Sequence, residues 1–434
     1  MQAKIIAASG SPNIWELPDD AEIEFKIEGK EPQRIRKGDI IQLPDGSCYL
    51  PFGPVAKEPR SIQPGTLENF IKQKIDKTSQ KRILFPEFME LALFTPTFSC
   101  PEGGYYERTS EQDGEFRDFS TYPIIHSPLL GRAASKKIHK YWLEMGSPKP
   151  FRLVAMGEGN GIFMRDILRG LLLYDHELYS NTQVTIIERS KHWIGIQKQN
   201  LGAHKNISWL YQNAITNPLP DVENGIFLSN ELPDTFPVHL IYRCPKTDLI
   251  AKAWVKSETW VNGIIEFAEE WVACDQKDPL DERLVEAVIL ADKGLPAGKQ
   301  IPISLNAIYW MVNVMDHLKR GFHITFDYGY TGTTYPNREL LWTMLDKSSG
   351  KSPYWEPGKR DITFHVDFDV LKRIGEMKGA RTRLLGFQEE FFEKLSWSPP
   401  SQFDEDQKPQ ILKEMTEYLP GKTGFLVLVQ SKGL

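Results

Sequence analysis

From residue 133 onward the sequence alternates strand and helix patterns, and this alternation is what most constrains the fold. Short apolar runs of strand length are separated by longer segments with apolar residues at helical spacing. The strand patterns are FRLVAM, QVTIIE, ISWLY, GIFLSN, FHITFDYGY and TGFLVLVQ, and the helix patterns are AASKKIHKYWLEM, residues 162–173, HWIGIQKQNL and residues 305–318. Such alternation predicts a parallel sheet with crossover helices on its faces. The expected fold class is therefore α/β, with a doubly wound sheet.

The first of these strands runs into a turn with a glycine at every second position. Residues 153–161 read LVAMGEGNG, which places Gly157, Gly159 and Gly161 before the next helix. Such a turn brings bare backbone against a ligand, close to helix amides that favour electron-rich groups. The spacing is GxGxG, whereas a dinucleotide-binding turn has GxGxxG. By itself the turn fits a bound cofactor or a tight connection without a ligand equally well.

Polar side chains end the next two strands of the predicted sheet. Glu188 ends QVTIIE, at the position where nucleoside-binding α/β folds hydrogen-bond a ribose diol. Its alternative interpretation is a solvated acid at a strand end. Gln212 and Asn213 follow ISWLY, where an adenine edge would be read, although such a pair also forms ordinary turns.

The fourth strand ends in SNELPDTFPVH, which brings an amide and two carboxylates to the same edge of the sheet. Asn230, Glu231 and Asp234 lie where open α/β sheets bind their ligands. Carboxylates pair strongly with guanidinium through bidentate hydrogen bonds. The motif therefore predicts a site for a cationic nucleophile, with helix capping as the alternative role.

Charge and composition exclude several classes of protein. The net charge of −6 and a pI near 5.9 argue against binding along a nucleic-acid backbone, which needs clustered Lys and Arg. No apolar run approaches the length that spans a bilayer, and the N-terminus fits neither a secretory signal nor a transit peptide. We therefore expect a cytoplasmic protein that binds neither nucleic acid nor membrane.

Cysteine and histidine spacing predicts no metal site. Cys48, Cys100, Cys244 and Cys274 include no CxxC pair, which disfavours both a zinc site and a disulfide scaffold. The histidines form neither HxxxH nor HExxH, so we interpret His323 and His365 as structural residues.

Changes in pattern divide the chain into four regions. Residues 1–65 read as a small β-rich N-terminal appendage, and 66–237 as the α/β core. Within the core, 95–131 is rich in Gly, Pro, Tyr, Thr and Ser, a composition of functional or disordered loops. Residues 238–320 are predicted to form an inserted lobe of antiparallel strands and helix, and 321–434 to complete both core and lobe.

A series of motifs in one order resembles the MidA-type S-adenosylmethionine-dependent methyltransferases, a family that includes a mitochondrial complex I assembly factor that methylates protein arginine. The resemblance covers residues 83–434 and runs through FMELALFTP, GGYYER, RDFSTYP, GEGNG, IERSKHWIGIQ, SNELPDTFPVH, FDYGY and PGKRDITFHVDF. It implies a class I methyltransferase fold, a doubly wound Rossmann-like sheet with an added helical and antiparallel lobe.

The resemblance also implies roles for particular residues. The methionine part of S-adenosylmethionine would lie along the glycine turn, with Glu188 on the ribose and 95–131 folding over the cofactor. The cofactor-binding residues would be Gly157, Glu158, Gly159, Gly161, Glu188, Asn213, Asp118 and Thr121. The substrate-side motif NExxD would comprise Asn230, Glu231 and Asp234. Later family motifs contain Asp327, Tyr328, Asp361 and His365, to which we assign no role. Tyr105 and Tyr106 are interpreted as packing anchors rather than pocket walls.

Two positions depart from the family pattern. The family has an acid just ahead of the glycine turn, where this chain has Ala155, while Glu158 has appeared inside the turn. The family also has Glu after the proline of the covering loop, where this chain has Ile124 after Pro123. A missing carboxylate there weakens the case for a guanidinium held by several acids.

We therefore predict a methyltransferase that uses S-adenosylmethionine and acts on a nitrogen nucleophile. The first choice of acceptor is an arginine or other guanidino group on a protein or a peptide-like small molecule. The alternatives are a catalytically degenerate assembly or interaction protein and a methyltransferase with an oxygen or amine acceptor. A dinucleotide-dependent oxidoreductase is disfavoured by the glycine spacing and by SNELPD.

Overall fold

A computed structural model describes most of the chain. The described residues are 3–6, 22–27, 33–36, 41–42, 47–49, 66–107, 122–125, 127–259, 265–275, 277–345, 348–349, 352–392 and 425–434. Within them, the strands are β1 Ala3–Ile6, β2 Glu22–Ile27, β3 Gln33–Arg36, β4 Ile41–Gln42, β5 Ser47–Tyr49, β6 Ile83–Leu84, β7 Phe151–Met156, β8 Thr182–Glu188, β9 Ile207–Tyr211, β10 Gly225–Asn230, β11 His239–Arg243, β12 Ile250–Thr259, β13 Ile265–Ala273, β14 Gln300–Ile303, β15 Gly321–Tyr330, β16 Leu341–Leu345, β17 Ser348–Ser349, β18 Asp361–Phe364, β19 Val366–Asp367, β20 Arg381–Phe387 and β21 Phe425–Lys432. The α-helices are α1 Leu67–Lys77, α2 Phe85–Phe94, α3 Tyr122–Ile125, α4 Leu129–Glu144, α5 Ile162–Tyr174, α6 His176–Asn181, α7 Lys191–Leu201, α8 Pro279–Ala291, α9 Leu305–His317, α10 Phe368–Met377 and α11 Gln388–Phe392.

The chain forms two compact units, of which the first is an α/β unit. It comprises the described parts of 109–236, 306–333 and 364–434. Its main sheet has the strand order β9-β8-β7-β10-β15-β21-β20. The five strands β9, β8, β7, β10 and β15 are mutually parallel, and β21 runs antiparallel between β15 and β20. The order reverses direction between β7 and β10, which is the switch point where such sheets bind ligands.

Helices cover both faces of this sheet. On one face, α4 and α5 enclose a large apolar cluster with alternate residues of the central strands, including Leu153, Ile186 and Leu228. On the other face, α9 places the ring of Trp310 5.4 Å from that of His323, with its Nε1 3.4 Å from the sulfur of Met156. Because both faces are covered, β10 is buried along almost its whole length, as a central parallel strand should be. The predicted doubly wound α/β fold is confirmed.

The second unit is built on antiparallel strands. It comprises the described parts of 1–108, 237–305 and 334–363. Its larger sheet has the order β14-β11-β12-β13-β5-β4, with β6 also pairing with β12. Two small sheets, β1-β2-β3 and β17-β16-β18, belong to the same unit.

The core of the antiparallel unit contains a buried carboxyl with several donors. Glu269 accepts hydrogen bonds from the Tyr354 hydroxyl at 2.9 Å, Trp271 Nε1 at 3.0 Å and Gln300 Nε2 at 3.3 Å. The ring of Tyr354 also packs against that of Phe88 at 5.3 Å. Burial raises the pKa of Glu269, and the three donors oppose that rise. The cluster ties β13, β14 and the 352–360 turn together.

The division into units differs from the expected regions in three respects. Residues 66–107 belong to the antiparallel unit rather than to the α/β core, because β6 pairs with β12. Strands β4 and β5 extend the same sheet through β13, so that part of 1–65 is integral to it. Helix α9, expected within the 238–320 lobe, packs on the α/β sheet instead, apart from its first residue.

Among the described residues, no helix combines the length and apolar character needed to cross a membrane.

Candidate functional site

The glycine turn between β7 and α5 has a backbone that demands glycine. Gly157, Gly159 and Gly161 have φ of 65°, 54° and 80°. This left-handed region is costly for residues with a Cβ. The turn remains closed because the Gly157 amide donates to Ile187 O at 3.1 Å, and the Gly161 amide donates to Glu158 O at 2.9 Å. Each of the three alternate glycines is therefore needed for the backbone conformation of this turn.

The surroundings of the three glycines differ. A Cβ at Gly157 would lie 2.7 Å from Leu232 Cδ1, and one at Gly161 would lie 3.2 Å from Leu201 Cδ1. A Cβ at Gly159 would meet no described atom within 4 Å. Gly157 and Gly161 thus permit close packing, whereas the backbone at Gly159 borders open space. This is the part of the turn where a ligand can approach the peptide groups.

Glu158 is buried inside the turn. Its carboxyl accepts a hydrogen bond from the Met164 amide, in the first turn of α5. Burial raises the pKa of Glu158 to about 8, the Met164 amide opposes that rise, and the nearby charge of Glu188 adds to it. At neutral pH the free site therefore holds this carboxyl mainly in its protonated form.

Glu188, at the end of the neighbouring strand β8, is buried beside the turn. One carboxyl oxygen accepts from the Ser190 amide at 3.0 Å, and the other from Gln197 Nε2 at 3.2 Å. Burial raises the pKa of Glu188, while the Ser190 amide and Gln197 oppose the rise. The predicted neighbourhood of Glu188 and the glycine turn is thus present.

Gln197, in α7, is a site residue that the sequence interpretation missed. Its Nε2 also donates to Gly159 O at 2.9 Å, so one amide links the glycine turn to the end of β8. The signal was the motif IERSKHWIGIQ, in which Ser190 caps α7 by accepting from the Trp193 amide at 3.5 Å. The cap fixes where the helix begins, and therefore which of its residues faces Glu188.

Asn213 and Gln212 lie just past β9, beside Glu188. The Gln212 amide donates to Glu188 O at 3.1 Å, and Asn213 Oδ1 accepts from the Ile215 amide at 2.8 Å. Asn213 thus shapes a turn, as the alternative interpretation required. Its adenine contact stays a prediction.

Asn230 is the last residue of β10, and Glu231 and Asp234 follow it in the next loop. Asn230 Nδ2 donates to Glu231 Oε1 at 3.0 Å. Asp234 lies in a short 3₁₀ turn, Pro233–Thr235, and is buried. Glu231 has φ of 48°, a rare conformation for a residue with a long side chain. Strain of this kind persists only where the surroundings enforce it, and it is concentrated at functional sites.

Asp327 is the residue that anchors this loop. It is fully buried within β15, where its Oδ2 accepts from the Asp234 amide at 3.1 Å and its Oδ1 accepts from the Tyr328 amide at 2.7 Å. Burial raises its pKa well above the ordinary value, with a further rise from the charge of Glu231. Because it holds loop amides rather than projecting outward, Asp327 acts as a positioning residue for the NExxD loop.

The structure does not gather every residue from the family motifs at this site. Asp118 and Thr121 lie outside the described residues. Asp361 belongs to the antiparallel unit, where it accepts from the Tyr106 hydroxyl at 2.8 Å. Tyr106 stacks on the ring of Phe94 at 5.3 Å, in agreement with a packing role.

Other residues of the α/β unit that the sequence analysis names have the following surroundings. His365 lies just ahead of β19, and His323 is fully buried near the start of β15, where burial lowers its pKa to about 3. Tyr328 packs its ring edge-on against Phe425 at 4.7 Å. Ile124 is half-buried in the short helix α3.

The edge of the sheet retains buried polar atoms that suit a polar ligand. Four buried side-chain atoms have no hydrogen-bond partner among the described residues: Glu158 Oε2, Asn160 Nδ2, Gln197 Oε1 and Asn230 Oδ1. Buried polar atoms normally have partners, so a set of them beside an open glycine backbone points to a bound group. S-adenosylmethionine carries hydroxyl, ammonium and carboxylate groups that would satisfy both donors and acceptors. The residues therefore fit this cofactor.

The parallel sheet, its switch point and the glycine turn with a buried acid on the next strand define a class I methyltransferase that depends on S-adenosylmethionine. A family model for S-adenosyl-L-methionine-dependent methyltransferases matches residues 134–387, more than half of the chain. The chain belongs to this family, and the MidA-type resemblance is confirmed.

Individual relatives are more distant. The protein arginine methyltransferase NDUFAF7 homolog, mitochondrial, of Drosophila melanogaster is 25% identical over 341 residues, which cover 73% of this chain and 71% of that protein. The human protein arginine methyltransferase NDUFAF7, mitochondrial, is 25% identical over 304 residues, covering 64% of each chain. These names place the relatives in mitochondria, so the expected cytoplasmic location stays a prediction.

A solved structure shares the fold. The crystal structure of a Burkholderia thailandensis protein bound to S-adenosyl-homocysteine superposes with a TM-score of 0.66 at 22% identity. The match covers 85% of this chain and 92% of that one. The shared architecture extends well beyond the core sheet.

Proposed function

We propose that this methyltransferase modifies a guanidino nitrogen, of arginine in a protein or of a peptide-like small molecule. The observation that carries the proposal is the NExxD loop at the carboxyl end of β10, in which Asn230 donates to Glu231 and the Asp234 amide donates to Asp327. The names of the relatives, protein arginine methyltransferases at 25% identity, support the same acceptor.

The loop has the charge and the rigidity that a guanidinium needs. Arginine presents a planar fork of N–H donors and has a pKa above 12, so it arrives as a cation. Two carboxylates can bind the fork and share its charge. Asn230 orients the Glu231 carboxylate through its hydrogen bond, and Asp327 fixes the backbone that carries Asp234.

Methyl transfer requires the acceptor nitrogen to lose a proton. Bound S-adenosylmethionine supplies an electrophilic methyl group and a neutral thioether leaving group. Glu231 or Asp234 would accept the proton that the acceptor nitrogen loses when it takes up the methyl group. Positioning and proton removal are the contributions left to the protein.

The cofactor would be held at the same carboxyl edge of the sheet, next to the NExxD loop. The glycine turn would receive its methionine part, Glu188 its ribose hydroxyls, and Asn213 its adenine. Asp118 and Thr121 would belong to the loop that covers it. Gln197 holds the glycine turn and Glu188 in fixed positions relative to each other, because it donates to Gly159 O and to the Glu188 carboxyl.

The proposal is tested by single-turnover methyl transfer to arginine-containing peptides, measured with labelled S-adenosylmethionine. We expect Glu231→Gln and Asp234→Asn each to slow transfer by about 10²-fold or more, with little change in cofactor affinity. The matched control is Glu223→Gln, an exposed acid just before the opposite end of β10.

Two outcomes would contradict the proposal. Unchanged transfer rates in both loop variants would show that Glu231 and Asp234 neither bind the acceptor nor remove its proton. Tight cofactor binding without transfer to any guanidino acceptor would favour a non-catalytic assembly role or another acceptor.

A further inference from the structure

The glycine turn and the end of β8 bring two buried carboxyls together. Glu158 and Glu188 are each more than nine-tenths buried, with 9% and 7% of their surface exposed. Gln197 links the glycine turn to Glu188, because its Nε2 donates to both Gly159 O and Glu188 Oε2. The role proposed for Glu188 is to bind ribose, but nothing in that role explains a second buried acid beside it.

The two acids differ in how well the protein satisfies them. Both oxygens of Glu188 accept hydrogen bonds, from Ser190 and Gln197. Glu158 accepts one from Met164, and its Oε2 is buried without a partner among the described residues. A buried carboxylate oxygen is costly to leave in this state, and it becomes favourable when a cation is placed beside it.

We propose that Glu158 binds the positive sulfonium charge of S-adenosylmethionine and releases a proton as the cofactor binds, so that the site prefers this cofactor to the uncharged sulfur of S-adenosyl-homocysteine. The proposal rests on the cofactor placement given under the proposed function. It would let the spent cofactor leave more readily than the fresh one, because loss of the methyl group removes the charge that holds Glu158 ionised.

The other charged groups nearby leave this role to Glu158. The charge of Glu188 raises the pKa of Glu158, and the charge of Arg189 opposes the rise in the pKa of Glu188. On α5, Arg165 and Asp166 pair with each other, with Arg165 Nε 3.0 Å from Asp166 Oδ1. From α7, the neutral Gln197 donates to Gly159 O and to Glu188. Lys191 and Lys198 on the same helix lie over the rings of Tyr211 and Trp209, at 5.0 and 5.6 Å. No described cation is among the groups that shift the pKa of Glu158.

The test is calorimetric titration of S-adenosylmethionine and S-adenosyl-homocysteine at pH 7 in two buffers with different ionisation enthalpies. The buffer dependence of the heat gives the number of protons released. With a free-site pKa of about 8, full ionisation of Glu158 releases about 0.9 protons. We expect a release near this value for S-adenosylmethionine and little for S-adenosyl-homocysteine.

Glu158→Gln separates the protein's proton from any proton of the ligand. The cofactor's own amine titrates identically with both proteins, so the difference between wild type and variant isolates residue 158. We expect the variant to lose the release and to lower the preference for S-adenosylmethionine by about ten- to a hundredfold. Glu223→Gln should match wild type in both respects.

The outcomes are distinct. If wild type binds S-adenosylmethionine with the same proton release as Glu158→Gln, the role of Glu158 is refuted while the proposed function stands. If wild type binds neither ligand, both proposals are refuted. If the variant fails to fold, equal proton release with the two ligands in wild type refutes the role of Glu158.

Discussion

Glu158→Gln should change how the stability of the α/β unit depends on pH. The native pKa of Glu158 is about 8, against an ordinary value of 4.5. Since the folded state holds its proton more tightly, the free energy of unfolding falls as pH rises between these values. At about 1.4 kcal/mol per pH unit, the cost is about 3 kcal/mol at pH 7 and about 5 kcal/mol above pH 8. The amide in the variant does not titrate, so the variant should escape this loss.

The assay is urea-induced unfolding followed by tryptophan fluorescence from pH 5 to pH 9, without cofactor. The amide also adds a constant offset, because its NH₂ replaces one carboxyl oxygen, so the informative quantity is the slope. We expect the variant to gain stability relative to wild type by about 3 kcal/mol or more between pH 5 and pH 8.5. Glu223→Gln should show no such divergence. A difference between variant and wild type that is the same at pH 5 and pH 8.5 would refute the assignment of a buried, protonated Glu158.

Three further substitutions test other parts of the structure. Gly159→Ala should lower the free energy of unfolding by about 1–2 kcal/mol, because its backbone is left-handed. It should weaken cofactor binding by more than this, because the added methyl group would fill open space. Denaturant unfolding measures the first effect and calorimetric titration of the cofactor measures the second. Asp327→Asn should destabilise by about 1–3 kcal/mol and slow methyl transfer more than it weakens cofactor binding, because its NH₂ would face a loop amide. Tyr354→Phe should lower the free energy of unfolding by about 1–3 kcal/mol in denaturant titration, leaving Glu269 short of one donor.

The strands of the α/β unit were predictable because their signals are local. FRLVAM, ISWLY and GIFLSN coincide with β7, β9 and β10, since each is a short apolar run bounded by turn residues. The parallel arrangement followed from their alternation with helices. The turn was predictable for the same reason, since alternate glycines mark a backbone that other residues rarely adopt.

The assignment of 66–107 was not predictable, because it depends on pairing over a long sequence distance. Strand β6 has only two residues, and it pairs with β12 through Leu84 and Trp254. Neither segment carries a pattern that identifies the other as its partner. The helices α1 and α2 belong to the antiparallel unit through contacts that composition does not record.

The roles of Gln197 and Asp327 were hidden for a related reason. Each acts by accepting or donating at backbone atoms of another element, so its own neighbours in sequence do not reveal the contact. In the sequence, Asp327 is marked only by its place in the family motif FDYGY, which assigns it no role. The structure adds that its oxygens face inward, toward the Asp234 and Tyr328 amides.

The geometry of residues 155 and 158 bears on whether the chain retains catalytic capacity. Ala155 is fully buried in the apolar cluster beneath α5, paired in register with Leu228 and Ile186. An acid at that position would need polar partners that this cluster does not offer. Glu158, three residues later, places a carboxyl at the edge of the sheet with one oxygen still to be satisfied. Ala155 was the main reason to consider a degenerate scaffold. That reason weakens because the turn has gained an acid where a cofactor would meet it, rather than simply losing one.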